Sequence, residues 1–104
     1  MNEGNTLLFE FSIAESKKFE KHKKNIDPAL YAKIKNIVYP QLRKNPYFGA
    51  NIKKLKGDLS EYYRFRLGNY RLFYLIEENK IIVVVVDIQH RQNNQAVSFS
   101  KNTE

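Results

Sequence analysis

The chain has 104 residues, 42% apolar and 28% charged, with a net charge of +7 and no cysteine. That balance describes one folded domain, residues 1–104, and excludes a disordered polymer. It also excludes disulfides, thiol nucleophiles and cysteine-ligated zinc, and it fits a reducing, cytoplasmic setting. A basic surface favours an anionic partner such as nucleic acid or an acidic protein; the plainer alternative is a solvated lysine-rich surface. The first residues lack the pattern of a secretory signal, and the longest apolar run, Ile81 to Val86, is too short to span a bilayer. No membrane role is expected.

Leu7 to Phe11 reads as a short strand. Ala14 to Lys24 reads as a charged helix with a sparse apolar stripe, Ile13 and Phe19. Asp27-Pro28 has the chemistry of a helix start, an oxygen-bearing cap followed by proline at the first helical position. Leu30, Ile34, Ile37, Val38 and Leu42 then recur at helical spacing. Pro40 should kink or end that helix, and Asn45-Pro46 stops it. Asn51 to Gly57 is a basic connector.

Three strands follow. Glu61 to Leu67 alternates, with Tyr63, Phe65 and Leu67 on one side and Tyr62, Arg64 and Arg66 on the other. Gly68-Asn69 is a hairpin turn leading into Tyr70 to Ile76. Glu77 to Lys80 is the next turn. Ile81 to Ile88 is an unbroken Ile/Val run that suggests a central strand buried on both faces. From Gln92 the chain is polar, with a tail at 98–104. The order describes an α+β fold: an N-terminal strand and a helical hairpin packed on a mostly antiparallel, twisted, four-stranded sheet.

Chemistry concentrates on the strands. Lys53, Lys54, Lys56, Arg64, Arg66 and Arg71 are opposed over that stretch only by Asp58 and Glu61. Two arginines spaced by two share a strand face, and Arg71 can join them across the hairpin. Guanidinium forks suit phosphate oxygens, and Tyr62 can stack a splayed base. The competing reading is a solvated face with its arginines paired to Glu61, Glu77 and Glu78. His90, beside Arg91, can transfer protons near neutral pH or simply cap a strand end. His22 lies in a lysine-rich helix with no evident role beyond a solvated face. No HExxH pair, P-loop or GxGxxG occurs.

Asn45-Pro46, Leu55-Lys56-Gly57, Tyr63-Arg64-Phe65-Arg66, Asn69-Tyr70-Arg71-Leu72 with Tyr74, and His90-Arg91 follow one another over nearly half the chain. In these motifs the sequence resembles the RelE/ParE superfamily of toxins, on its RelE-like branch. The resemblance implies a RelE-like fold, a toxin held inactive by a cognate antitoxin, and cleavage of mRNA in the A site of the 70S ribosome, against its 16S rRNA. There the RNA 2′-hydroxyl attacks its own phosphodiester, with no metal and no cofactor. Arg64 and Arg66 resemble two strand lysines of RelE, Arg71 a phosphate-stabilising arginine, and Arg91 the arginine closing the last strand.

Two departures stand out. Arginine cannot act as a base, so the base has to come from elsewhere. His90 is the first candidate and Glu61 the second, the alternatives being that the ribosome supplies part of the chemistry or that there is no cleavage. The region Gln95-Ala96-Val97 lacks the tyrosine that stacks the message, and Tyr62 is the candidate substitute. The resemblance therefore implies a translation-inhibiting, metal-independent endoribonuclease. A ParE-like inhibitor of DNA gyrase and an inactive toxin-like module are the alternatives.

Overall fold

The computed structural model describes residues 10–91. The start of the expected first strand and the polar tail lie outside the described residues. Element order is β1 (Ser12–Glu15), α1 (Lys17–His22), α2 (Pro28–Lys33), α3 (Tyr39–Lys44), β2 (Ile52–Lys54), β3 (Tyr63–Leu67), β4 (Tyr70–Glu77) and β5 (Ile82–His90). The strands form one sheet in the order β1-β5-β4-β3-β2. The α+β expectation holds, with five strands where four were expected. The fifth is β2, cut from the basic connector. Its one apolar residue, Ile52, pairs opposite Phe65. Three residues are too few to show a period.

The sheet is mixed. β1 runs parallel to β5, and the other neighbours are antiparallel. Among the described residues the first strand lies later than expected. Phe11 is buried but donates its amide to the Arg43 carbonyl at 2.9 Å, and pairing with β5 begins at Ser12. α1 begins later too, because Ser16 caps it, its hydroxyl accepting from the Phe19 amide at 3.0 Å. Asp27 caps α2 in the same way, with Pro28 behind it.

Pro40 does not break the second helix. A π turn, Ile34–Val38, joins α2 to α3 and places Pro40 in the first turn of α3, where a missing amide costs little. Leu30, Ile34, Val38 and Leu42 are buried, but Ile37, expected on the same stripe, is 45% exposed.

Helices cover one sheet face, enclosing Phe19, Ile34, Leu42, Phe65, Leu72, Tyr74, Val83 and Val85. A second apolar cluster, Tyr62 and Phe73 with Leu55, Leu59, Leu75 and Val86, occupies part of the opposite face. The turn Gly57–Leu59 contributes to it. β5 is not buried on both faces. Val83 and Val85 are buried, Val84 and Val86 half-buried, and β4 holds the centre of the sheet.

Candidate functional site

The arginine cluster follows from strand register. Gly68, at φ 58°, opens a two-residue turn that sets Leu67 opposite Tyr70 and Arg66 opposite Arg71. Arg64 stands opposite Phe73 on one side and Lys53 on the other, and Arg71 opposite Gln89. Directly opposed residues share a face, as do residues two apart. Arg64, Arg66, Arg71, Lys53 and Gln89 therefore lie on the face away from the helices.

Partial burial, and then the like charges of Arg66 and Arg71, hold the Arg64 guanidinium below its ordinary pKa. Among the described residues no ion pair ties these three arginines to a carboxylate. Arg64 donates from Nη1 to the Asn51 carbonyl at 3.3 Å. Glu77 pairs with Lys80 at 3.8 Å, and Glu78 accepts from the Tyr47 hydroxyl at 2.7 Å, so neither neutralises the cluster. The surface is built to hold an anion. Its three arginines cannot themselves move a proton, because guanidinium does not deprotonate.

Other candidates lie elsewhere. Lys54 is opposite Tyr63, on the helix side, with Nζ 5.1 Å from that ring's centroid. Glu61 lines a separate depression with Tyr47, Lys54 and Tyr63. Tyr62, expected to stack a base, is 7% exposed and packs on Phe73. Lys56 is exposed in the connector. Arg91 is exposed beside the β3–β4 turn, its amide donating to the Asn69 carbonyl.

His90 sits on the helix side, edge-on to Tyr70 at 4.8 Å between ring centroids. The expectation that it joins the arginines fails for one reason. The β4–β5 ladder pairs Tyr74 with Val85 but Phe73 with Asp87, so Val86 is an extra residue. Such a bulge reverses the alternation of everything after it. Gln89 therefore takes the place beside Arg71.

The sequence reading missed a further pair. His22, expected on a solvated face, places Nδ1 2.7 Å from Oδ1 of Asp87, which is only 2% exposed. Asp87 Oδ1 also accepts from the Ile88 amide at 2.9 Å, and Oδ2 lies 3.5 Å from Lys18 Nζ. An aspartate inside the run Val83 to Ile88 was the available signal, because a buried charge requires a partner. Nothing local indicated which one.

Solved structures share this architecture. A RelB–RelE complex from Mycobacterium tuberculosis aligns with TM-score 0.72 at 21% identity, over 83% of this chain and 97% of that one. The isolated RelE toxin of E. coli aligns with TM-score 0.66 at 21% identity, over 82% and 88%. A RelB–RelE complex from Methanococcus jannaschii gives 0.58 at 27%, over 76% and 91%. The fold is thus RelE-like. No curated protein sequence matches the chain. Residues 12–95 match the family model of the ParE toxin of type II toxin–antitoxin systems, parDE. The chain belongs to that family, within the RelE/ParE superfamily.

Proposed function

We propose that this toxin inhibits translation by cutting mRNA on the ribosome, with Arg64, Arg66 and Arg71 gripping the RNA backbone. The observation that carries the reading is the convergence of the three guanidinium groups on one sheet face without a carboxylate partner among the described residues. Lys53 widens that surface, and Arg91 and Lys56 extend it at its margins. A net charge of +7 adds electrostatic steering toward RNA.

The partner in the resting cell is a cognate antitoxin. Several structural relatives were solved as toxin–antitoxin complexes, which supports this assignment. An acidic antitoxin segment would neutralise the arginine face and block access to the ribosome. In this reading the toxin works in the cytoplasm. Among the described residues no helix is long and apolar enough to cross a membrane.

A second reading, inhibition of DNA gyrase, draws on the ParE family match and on an arginine face that, among the described residues, carries no histidine or carboxylate. The fold hosts both activities and does not decide between them. Inducing the chain without antitoxin separates them. Translation arrest with cut messages is the expected result. Intact messages with blocked DNA supercoiling would establish the second reading, and unimpaired growth would mark an inactive module.

A further inference from the structure

Around the sheet edge from the arginines, α1 and the end of β5 enclose a cavity of about 390 Å³. Its lining includes Lys18, His22, Asp27, Tyr70, Asp87 and His90. Two imidazoles thus share one cavity. Asp87, a carboxylate, can only accept hydrogen bonds, so His22 donates to it from Nδ1 and keeps its Nε2 lone pair for another proton. Nε2 makes no hydrogen bond within the described residues. Burial fixes the carboxylate, and the hydrogen bond it accepts from the Ile88 amide and its contact with Lys18 leave little freedom to turn away. A histidine oriented by a buried aspartate is a pre-set general base. Gln89, which also lines the cavity, is the ladder partner of Arg71, so one residue of β5 links the cavity to the arginine row.

We propose that this cavity is the acid–base site of the chain, acting on a ribonucleotide phosphodiester whose neighbouring phosphates the arginines hold. This rests on the RNA-directed reading above. His22 Nε2 takes the proton from the 2′-hydroxyl, and the 2′-oxygen bonds to phosphorus. The bond from phosphorus to the 5′-oxygen breaks, and His90, as imidazolium, protonates the departing oxygen. The products are a 2′,3′-cyclic phosphate and a free 5′-hydroxyl, with protons and electrons balanced. Lys18 offsets charge accumulating on the phosphoryl oxygens. Asp87 is a positioning residue: it holds the His22 ring through Nδ1. The charged or titratable groups that line the cavity with His22 are Lys18 on its own helix, Asp27 on the following connector, and Asp87, His90 and Tyr70 from the sheet.

The test is single-turnover cleavage of a defined message on ribosomes by the full chain, with end-group analysis across pH. The expected profile is bell-shaped, with cyclic-phosphate ends. His22→Gln and His90→Gln should each slow cleavage by about 10²-fold or more while RNA binding persists. Asp87→Asn should slow cleavage with RNA binding unchanged, and Asp87→Glu should recover part of the rate, a rescue that loss of packing alone does not produce. RNA carrying 2′-deoxyribose at the cleaved position should resist. Wild-type rates in His22→Gln, or cutting of the deoxy substrate, overturn the proposal and leave translation arrest standing. A wild-type chain that cuts no message removes both readings together.

Discussion

Arg66 and Arg71 stand directly opposite each other across the β3–β4 ladder, like charge facing like charge. Such a pair works against the fold, by about 0.2–1 kcal/mol. Arg71→Ala should therefore leave stability unchanged or slightly raised in urea unfolding, most visibly at low salt, while toxicity falls. The slope of log affinity for single-stranded RNA against log salt should flatten by about 0.7, the share of one phosphate contact. A variant that is both folded and fully toxic would speak against the arginine face.

Tyr62 should behave as a core residue. Its ring packs on Phe73 and is 7% exposed, so Tyr62→Ala should cost about 3 kcal/mol in a denaturant titration. Tyr62→Phe should be close to neutral for RNA affinity. A selective loss of RNA binding in a stable Tyr62→Ala chain would restore the stacking role that its burial opposes.

Tyr74 ties the sheet to the end of the second helix. It is fully buried, and its hydroxyl donates to the Pro46 carbonyl at 2.8 Å. Tyr74→Phe leaves that buried carbonyl unsatisfied and should cost about 1–3 kcal/mol, read as a lower urea midpoint with unchanged slope.

Glu15 gives the fold an acid sensitivity. Desolvation, the largest influence, raises its carboxyl pKa, but hydrogen bonds from Lys23, Tyr31 and Tyr39 together outweigh it and hold the group below its ordinary value of 4.5. The three donors lie at 2.7, 2.7 and 2.8 Å. A depressed folded pKa means stabilisation that is present above 4.5 and lost as pH falls through the lower folded value. Unfolding midpoints followed from neutral pH down through that window should fall in the wild type and fall less in Glu15→Gln.

Near the Gly68-Asn69 turn, the fold and the arginine face were both legible in the sequence. A two-residue hairpin fixes register, and register fixes which side chains share a face, so Arg64, Arg66 and Arg71 could be grouped from spacing alone. Asp27-Pro28 marked a helix start for equally local reasons. Legibility ended where a tertiary partner decides. Ser12 to Glu15 becomes a strand only by lying parallel to β5, a segment 70 residues away at each paired position. Val86 is one β-branched residue in a run of its kind, and nothing in that run announces which one the ladder skips. That single skipped residue carried His90 to the helix side and left the arginines without the proton carrier that spacing had suggested.

The π turn also governs the phase of the second helix. Leu30, Ile34, Val38 and Leu42 are buried and spaced by four, and an α-helix of 3.6 residues per turn would wind such a series round by about 40° at each step. Over three steps the seam would precess by about 120° and leave the sheet. One wider turn at Ile34–Val38 unwinds part of that rotation, so two short helical pieces present a nearly straight keel to the sheet. Deleting one residue there would straighten the helix chemically and misalign it mechanically, swinging Leu42 off the sheet that Leu30 still touches.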